Sequence, residues 1–446
     1  MHRCYFIPIA DLNDRADLPG WVATLARSME TEAQTREVVQ TILGEVRQQG
    51  WSAVRTWTER LDGVQLSSFP EAIPSFVLEA ARAHLEAENP KLMSALRAMI
   101  LGIRTFAEGQ RGCLRDLELT LAGGGTVGER WCPLQTVGVY IPGGRAFYPS
   151  TLAMTVIPAQ VAGVPRIVAV TPPRPEATLP GAMGMDPLVL ACAAELGLKE
   201  LYPCGGAQAL AWLAHGEPSV DLIAGPGNRF VAEAKRQLLG TCGIDSLAGP
   251  TELLVIADAS ADPAWVAEDL LAQAEHDPDA AAVLVSANRI LLERVGEELQ
   301  SRVATSPRRA LLEQSLGAHG HRFHASRELA TALAQAWAPE HLELCVQDAD
   351  AWLPMLTTAG AIFIGQASAE AFGDYGAGPN HVLPTQRNAR YSSPLGVASF
   401  LKRQSLLRLS LEDAAAMAPW VAQLANAEQL VHHGRSASLR GHRPHP

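Results

Sequence analysis

From residue 137 onward the chain repeats one pattern: a short β-branched run ends in glycine or proline, and a helical stretch follows. "VGVYI" leads through Pro142-Gly143-Gly144 into "STLAMTVIPAQVAGV", "RIVAVTPP" precedes "PLVLACAAELGL", "ELYPCGG" precedes "AQALAWLAHG", and "VDLIAGPGN" precedes "RFVAEAKRQLLG". Strands and helices alternating this regularly imply a parallel sheet, because parallel strands need crossover connections and the crossing helices cover the faces. A second series begins after Gly249-Pro250. It runs through strand "ELLVIAD", a helix with Asp262 as N-cap and Pro263 in its first turn, strand "AAVLVS", a helix from about 289, and strand "AIFIG".

At 446 residues the chain exceeds one ordinary core, so two such units are reasonable on size as well. Before residue 130 the apolar spacing in "TREVVQTILGEVRQQGWSAVRTWTERLDGV" is helical, and after about 396 it is helical again. The expected fold class is α/β, with two incomplete Rossmann-like parallel-sheet domains and helical N- and C-terminal extensions. The boundaries expected are 1–135 together with 251–395 for the first domain, 136–250 for the second, and 396–446 for the C-terminal extension. Some fifty residues cannot easily form a core alone. This last segment must dock on the main body or on a second subunit.

A formal net charge of -11 argues against general affinity for nucleic acid or an anionic membrane, both of which need clustered Lys and Arg. Neither partner is expected. Seven scattered cysteines without a C-x-x-C pair read as reduced thiols. The N-terminal stretch lacks a secretory apolar run, and no segment approaches the ~20 apolar residues of a spanning helix. A cytoplasmic location is expected.

Four polar clusters carry candidate chemistry. In "LLAQAEHDPDA", Gln273 and His276 lie three apart at a helix end and share a face. They can deliver two ligands to one ion, or simply cap the helix with a histidine near the negative end of its dipole. In "APEHLEL", Glu340 and His341 pair a carboxylate with an imidazole at the mouth of an α/β unit, suited to acid–base work, although an exposed turn would look the same. "FGDYGAGPNHVLPT" places Asp374 and His381 among Gly373, Gly376, Gly378 and Pro379, a density that implies close backbone approach to something. Both are possible metal ligands, and an Asx-type turn is the alternative. Finally, "EQLVHHGRSASLR" carries Glu428, His432 and His433 on the segment that must dock, whereas the histidines of "GHRPHP" read as solvated. Two glycine loops, "IPGGRAFYPS" and "IAGPGNRF", lack a full G-x-G-x-x-G. Both follow a strand and open a helix, where a phosphate or ribose can sit.

Taken in order, "GVYIPGGRAFYPST", "GGAQAL", "GPGN", "AGPTE", "LLAQAEHDP", "PEHLEL", "GDYGAGPNHVLPT" and "SSPLGVASFLK" resemble the histidinol dehydrogenase family from about residue 30 to 440. The resemblance implies NAD-dependent, zinc-dependent oxidation of L-histidinol to L-histidine through bound L-histidinaldehyde, the last step of histidine biosynthesis. It implies one zinc per subunit held by Gln273, His276, Asp374 and His433, with His433 supplied across an intertwined homodimer. Glu340 and His341 match its catalytic pair, His341 as general base and Glu340 as activator of the water that hydrates the aldehyde. His381 and Glu428 match substrate contacts, with Glu428 also coming from the partner. Thr251, Gln273, His276, His341, Asp374 and His433 complete the substrate set. Tyr140, Gln208 and Asn228 fall where the family touches NAD, which makes 136–250 the cofactor side.

Two departures stand out. Thr251 replaces the serine common in "AGPTE", keeping the hydroxyl, and the connection "AHGEPSVD" is short, which bears on the spacing from Gln208 to Asn228. The closest rival is a paralogous zinc and NAD dehydrogenase of another small alcohol, such as a sulfonated propanediol. A zinc hydrolase with Glu340 activating a bound water, and a non-catalytic metal-binding scaffold, are the readings from other classes.

Overall fold

The computed structural model describes residues 7–25, 33–143, 148–174, 180–217 and 219–441. Gly144 of the first glycine loop, and the histidines of the final "GHRPHP", lie outside the described residues. The β-branched runs form two parallel sheets. One has five strands in the spatial order Glu200–Tyr202, Arg166–Val170, Thr136–Tyr140, Leu222–Ala224, Gly243–Ile244. The other has six, in the order Ile9–Asp11, Gly320–His324, Ala281–Ser286, Glu252–Ala257, His341–Cys345, Ala361–Ile364. Every pairing in both sheets is parallel.

The two sheets share a topology. In each, the first strand of the series sits centrally, the next two are added on one side, and the chain then returns to add two more on the other. Winding therefore reverses between Thr136–Tyr140 and Leu222–Ala224 in one sheet, and between Glu252–Ala257 and His341–Cys345 in the other. Such reversal points part the flanking loops and open a crevice. At the first crevice Gly225 has φ +116, and a Cβ there would collide with the Tyr140 carbonyl, so only glycine permits this approach.

Packing departs from the expected domain grouping. Residues 33–113 were expected alongside 251–395. Instead, the buried faces of helices Ala33–Gln49 and Trp51–Asp62 join one core on the five-stranded sheet, and those of Ser75–Glu88 and Pro90–Cys113 join the other. Only the first described residues belong with the six-stranded sheet, through strand Ile9–Asp11 and helix Leu18–Leu25. Helical periodicity identifies an apolar face but carries no address for it.

The C-terminal extension also differs from a purely helical one. Strand Leu401–Arg408 pairs antiparallel with Thr126–Pro133, which pairs in turn with Leu117–Thr120. Seven of its eight residues are exposed, so no alternation of burial marks it in the sequence. The helices Leu411–Ala427 and Val431–Gly441 then pack on each other as a hairpin that leaves Leu411, Trp420, Leu424 and Leu439 at least half exposed. Its root is fixed by Asp413, whose carboxylate accepts the Gly123 and Gly125 amides at 2.7 Å each. No helix of the described residues is long and apolar enough to cross a membrane.

Phe323 is fully buried on the six-stranded sheet, edge-on to Trp21 with ring centroids 4.8 Å apart. Phe323→Ala is expected to cost about 3–5 kcal/mol. Phe69→Ala, at an exposed side chain, should stay within about 0.5 kcal/mol of the parent in the same denaturant titration.

Candidate active site

One cleft of ≈ 1640 Å³ runs between the sheets and takes its walls from both. That exceeds the ~300–1,000 Å³ of an ordinary small-ligand pocket and leaves room for a dinucleotide with a second molecule. On the five-stranded side it lies at the carboxyl ends of the strands, where Tyr140, Gln208 and Asn228 line it. The six-stranded side is inverted. Thr251 and His341 stand at the amino ends of their strands, and helix Pro263–Ala274 runs back to deliver Gln273 and His276 to the same edge. The sequence reading placed Glu340 and His341 at the mouth of an α/β unit by the carboxyl-end rule; here the opposite edge is used, and the carboxyl ends come from the facing sheet.

Glu340 is held firmly. Its Oε2 accepts hydrogen bonds from the Thr251 hydroxyl (2.6 Å) and the Glu252 amide (3.0 Å). His341 turns Nδ1 toward acceptors: the Glu252 carbonyl at 3.1 Å, Glu370 at 3.4 Å and Glu340 at 3.8 Å. A nitrogen among three acceptors carries the proton, which leaves Nε2 as the basic atom of the neutral ring. Both side chains are buried, so water does not compete with these contacts.

His276, Glu370 and Asp374 bring ligand atoms within 4.8 Å of one another, with His276 Nε2 and Asp374 Oδ2 3.8 Å apart. Gln273 is fully buried on the same helix turn; its Nε2 donates to the Ala281 carbonyl at 3.2 Å, and its Oε1 faces the Thr251 hydroxyl at 3.4 Å. Glu370 Oε2 is buried without a hydrogen-bond partner among the described residues. Burial, then the charges of Asp374, Glu343 and Glu340, push its carboxyl well above the usual range. A cation among these oxygens would reverse that balance, and imidazole, carboxylates and an amide oxygen suit a borderline divalent ion such as zinc. The residues present therefore fit a metal.

His381 links the two sides of the cleft. Its Nε2 lies 3.2 Å from the Thr151 hydroxyl of helix Pro149–Ala162, and its Nδ1 lies 3.1 Å from the Asp374 carbonyl. Burial lowers its pKa, against an opposing pull from Asp374, so the ring is neutral near pH 7. The glycines around it have a packing task as well. A Cβ at Gly378 (φ +115) would press on Phe106, and Gly102 admits the Gly376 carbonyl against helix Pro90–Cys113.

Glu428 and His433 do not line the cleft of their own chain; both are exposed on the C-terminal hairpin, as is His432. Sequence reasoning missed Glu370, although "EAFGD" places it four residues before Asp374, one helical turn away. It also missed Glu343 and Asp269 behind the site. Burial raises the Glu343 carboxyl to about 8 and Asp269 to about 6, the former with an added push from Asp269. A glutamate inside the apolar run "HLELC" was the available signal.

Fold and cleft together define a two-sheet α/β enzyme with an acid–base pair beside a metal-competent cluster. Residues 25–441 match the family model described as histidinol dehydrogenase. A histidinol dehydrogenase from Moorella thermoacetica is 44% identical over 425 residues, covering 94% of this chain and 96% of its own. One from Synechococcus sp. is 44% identical over 413 residues, 92% of each chain. The crystal structure of histidinol dehydrogenase from Elizabethkingia anophelis superposes with a TM-score of 0.90 at 29% identity, covering 99% of both chains. The chain belongs to the histidinol dehydrogenase family, and is an oxidoreductase.

Thr251→Ser keeps the hydroxyl on Glu340 and is expected to retain kcat/KM for histidinol within about twofold, whereas Thr251→Val should lower it by about tenfold or more, the loss of a hydrogen bond to a charged group. Steady-state kinetics of the two variants checks this.

Proposed function

We propose that the protein oxidises L-histidinol to L-histidine in histidine biosynthesis, through L-histidinaldehyde, with NAD as acceptor and zinc as the bound metal. The observation that carries this reading is the convergence of His276, Glu370 and Asp374 beside the Glu340–His341 pair in a cleft that also reaches Tyr140, Gln208 and Asn228.

Gln273, His276 and Asp374 would hold zinc, with His433 of the partner subunit completing the set. Zinc would supply a Lewis acid that orients the substrate. On the cofactor side, helix Arg229–Leu238 presents its N-terminus, capped by Asn228. Gln208 Oε1 is buried with no hydrogen-bond partner among the described residues, and Tyr140 Oη receives the Gly206 amide at 3.3 Å while keeping its own proton to donate. Both fit a polar ligand. NAD, when bound, would supply the hydride acceptor for both oxidations.

His341 Nε2 takes the hydroxyl proton as each hydride leaves, once from the alcohol and once from the aldehyde hydrate. Its imidazolium form would be stabilised at Nδ1 by Glu340, and by Glu370 once a cation at the cluster has drawn off its proton. Glu340, fixed by Thr251 and Glu252, directs the water that adds to the aldehyde. The exposed hairpin bearing Glu428 and His433 supports a homodimer in which each arm closes the other chain's cleft.

The test is NADH formed per histidine produced, with protein loaded with zinc, stripped, and reloaded. Two NADH per histidine, lost on stripping and regained with zinc, is the expected result. Absence of NAD reduction, or histidinol left intact while another small alcohol is consumed, would overturn the assignment. His276→Ala is expected to lose bound zinc, by elemental analysis, together with activity. Glu340→Gln should impair oxidation of supplied histidinaldehyde far more than release of the first NADH, in a stopped-flow trace.

A further inference from the structure

Helix Trp51–Asp62 ends at the cleft on the cofactor side, and Asp62, its last residue, lines it. That is an unfavourable place for a carboxylate. The C-terminus of a helix carries partial negative charge, so an acid there is repelled by the carbonyls it terminates. Asp62 Oδ2 is buried, with no hydrogen-bond partner among the described residues. Among the described residues, the groups that sense its charge, Tyr140 and Cys204, supply no positive charge. Burial pushes the carboxyl up to about 6, leaving it ionised at neutral pH at a cost to the fold. Desolvation, dipole repulsion and an unmade hydrogen bond all oppose an acid here, and each is relieved by a donor arriving in the cleft.

The surroundings indicate which donor. Val38 and Ile42 lie one turn apart on helix Ala33–Gln49 and form an apolar wall with Leu61, while Gln34 and Thr35 add a polar lip. These helices pack on the five-stranded sheet, whereas the reacting groups Glu340 and His341 belong to the six-stranded one. A dinucleotide whose nicotinamide meets His341 must send its adenosine half toward the opposite wall. An aliphatic surface for a purine beside a lone acceptor for a sugar diol matches that half.

We propose that the Asp62 carboxylate accepts hydrogen bonds from the adenosine ribose hydroxyls of the bound dinucleotide and thereby selects NAD over NADP. A 2′-phosphate in that position would face a carboxylate of like charge. An acid on the ribose is the usual device of dinucleotide folds, where it follows the glycine loop by about 20 residues in the same βαβ unit. Here it comes from a helix outside the sheet unit. Arg174, Arg229 and Arg236 also line the cleft; were they placed to hold a 2′-phosphate, the preference would run the other way.

The inference rests on the NAD reading above, and the test separates the two. Fluorescence titration of full-length, zinc-loaded protein with NADH and NADPH would be run for the parent, Asp62→Asn and Asp62→Ala, with histidinol affinity measured by calorimetry without nucleotide. The parent is expected to bind NADH at least about tenfold more tightly than NADPH, and Asp62→Asn to weaken NADH by about tenfold and bring the two within about threefold. Histidinol affinity should be unchanged. The sign for stability is opposite: an acid whose pKa is raised by folding loses stability as pH rises through about 6, so metal-free Asp62→Asn should melt no lower than the parent at about pH 8. An unaltered NADH to NADPH ratio in Asp62→Asn, or a parent that prefers NADPH, overturns the proposal. A parent that binds neither nucleotide overturns the NAD reading beneath it.

Discussion

The two hydrogen bonds that Glu340 Oε2 accepts, from the Thr251 hydroxyl and the Glu252 amide, join the entrances of two neighbouring strands at the centre of the six-stranded sheet. Most of the site depends on this junction. It places His341 at the start of its strand, with Nδ1 turned to the Glu252 carbonyl and Nε2 free. Through Gln273 it ties the same hydroxyl to the helix turn bearing His276. The Glu252 carboxylate accepts the Gln386 amide, so the segment following His381 is anchored to the same edge. Chemistry at a strand's amino end needs such a tether, because the free backbone groups there are not aimed by a following helix.

Behind the junction lies an unusual concentration of buried acid: Glu252, Glu340, Glu343 and Glu370 are all almost wholly removed from solvent. Glu343 accepts the Glu370 amide at 2.7 Å and lies against the Asp269 carboxyl, and Glu370 Oε2 has no partner among the described residues. Burial holds the protons of Glu343 and Glu370 when no cation is near, and a cation at the cluster would favour their release. A metal bound at the cluster would therefore be linked to the protonation of these two acids.

The sequence made the sheets legible because their strands are short, β-branched and bounded by glycine or proline, as in "RIVAV" and "ELLVIA". The strands that escaped notice break that pattern. Gly320–His324 is polar in sequence yet mostly buried, with Arg322 bonded to the carbonyls of Ile7 and Leu292, and Leu401–Arg408 is almost wholly exposed. His276, Glu340, His341 and Asp374, which line the cleft, stand on motifs with chemical spacing and were readable one by one. Glu370 was not, because its role arises from three-dimensional approach to His341. The opposed edges of the two sheets were also invisible, since strand order says nothing about how one sheet faces another.

Both ends of the chain are committed to partners made at very different times. Strand Ile9–Asp11 finds its neighbour only when Gly320–His324 has emerged, and Thr126–Pro133 must wait for Leu401–Arg408. During synthesis strands Ile9–Asp11 and Thr126–Pro133 thus lack these partners for hundreds of residues, an interval in which an open strand can recruit the wrong chain. Closing such distant contacts is slow. The two longest-range sheet pairings among the described residues are the ones most exposed to that delay.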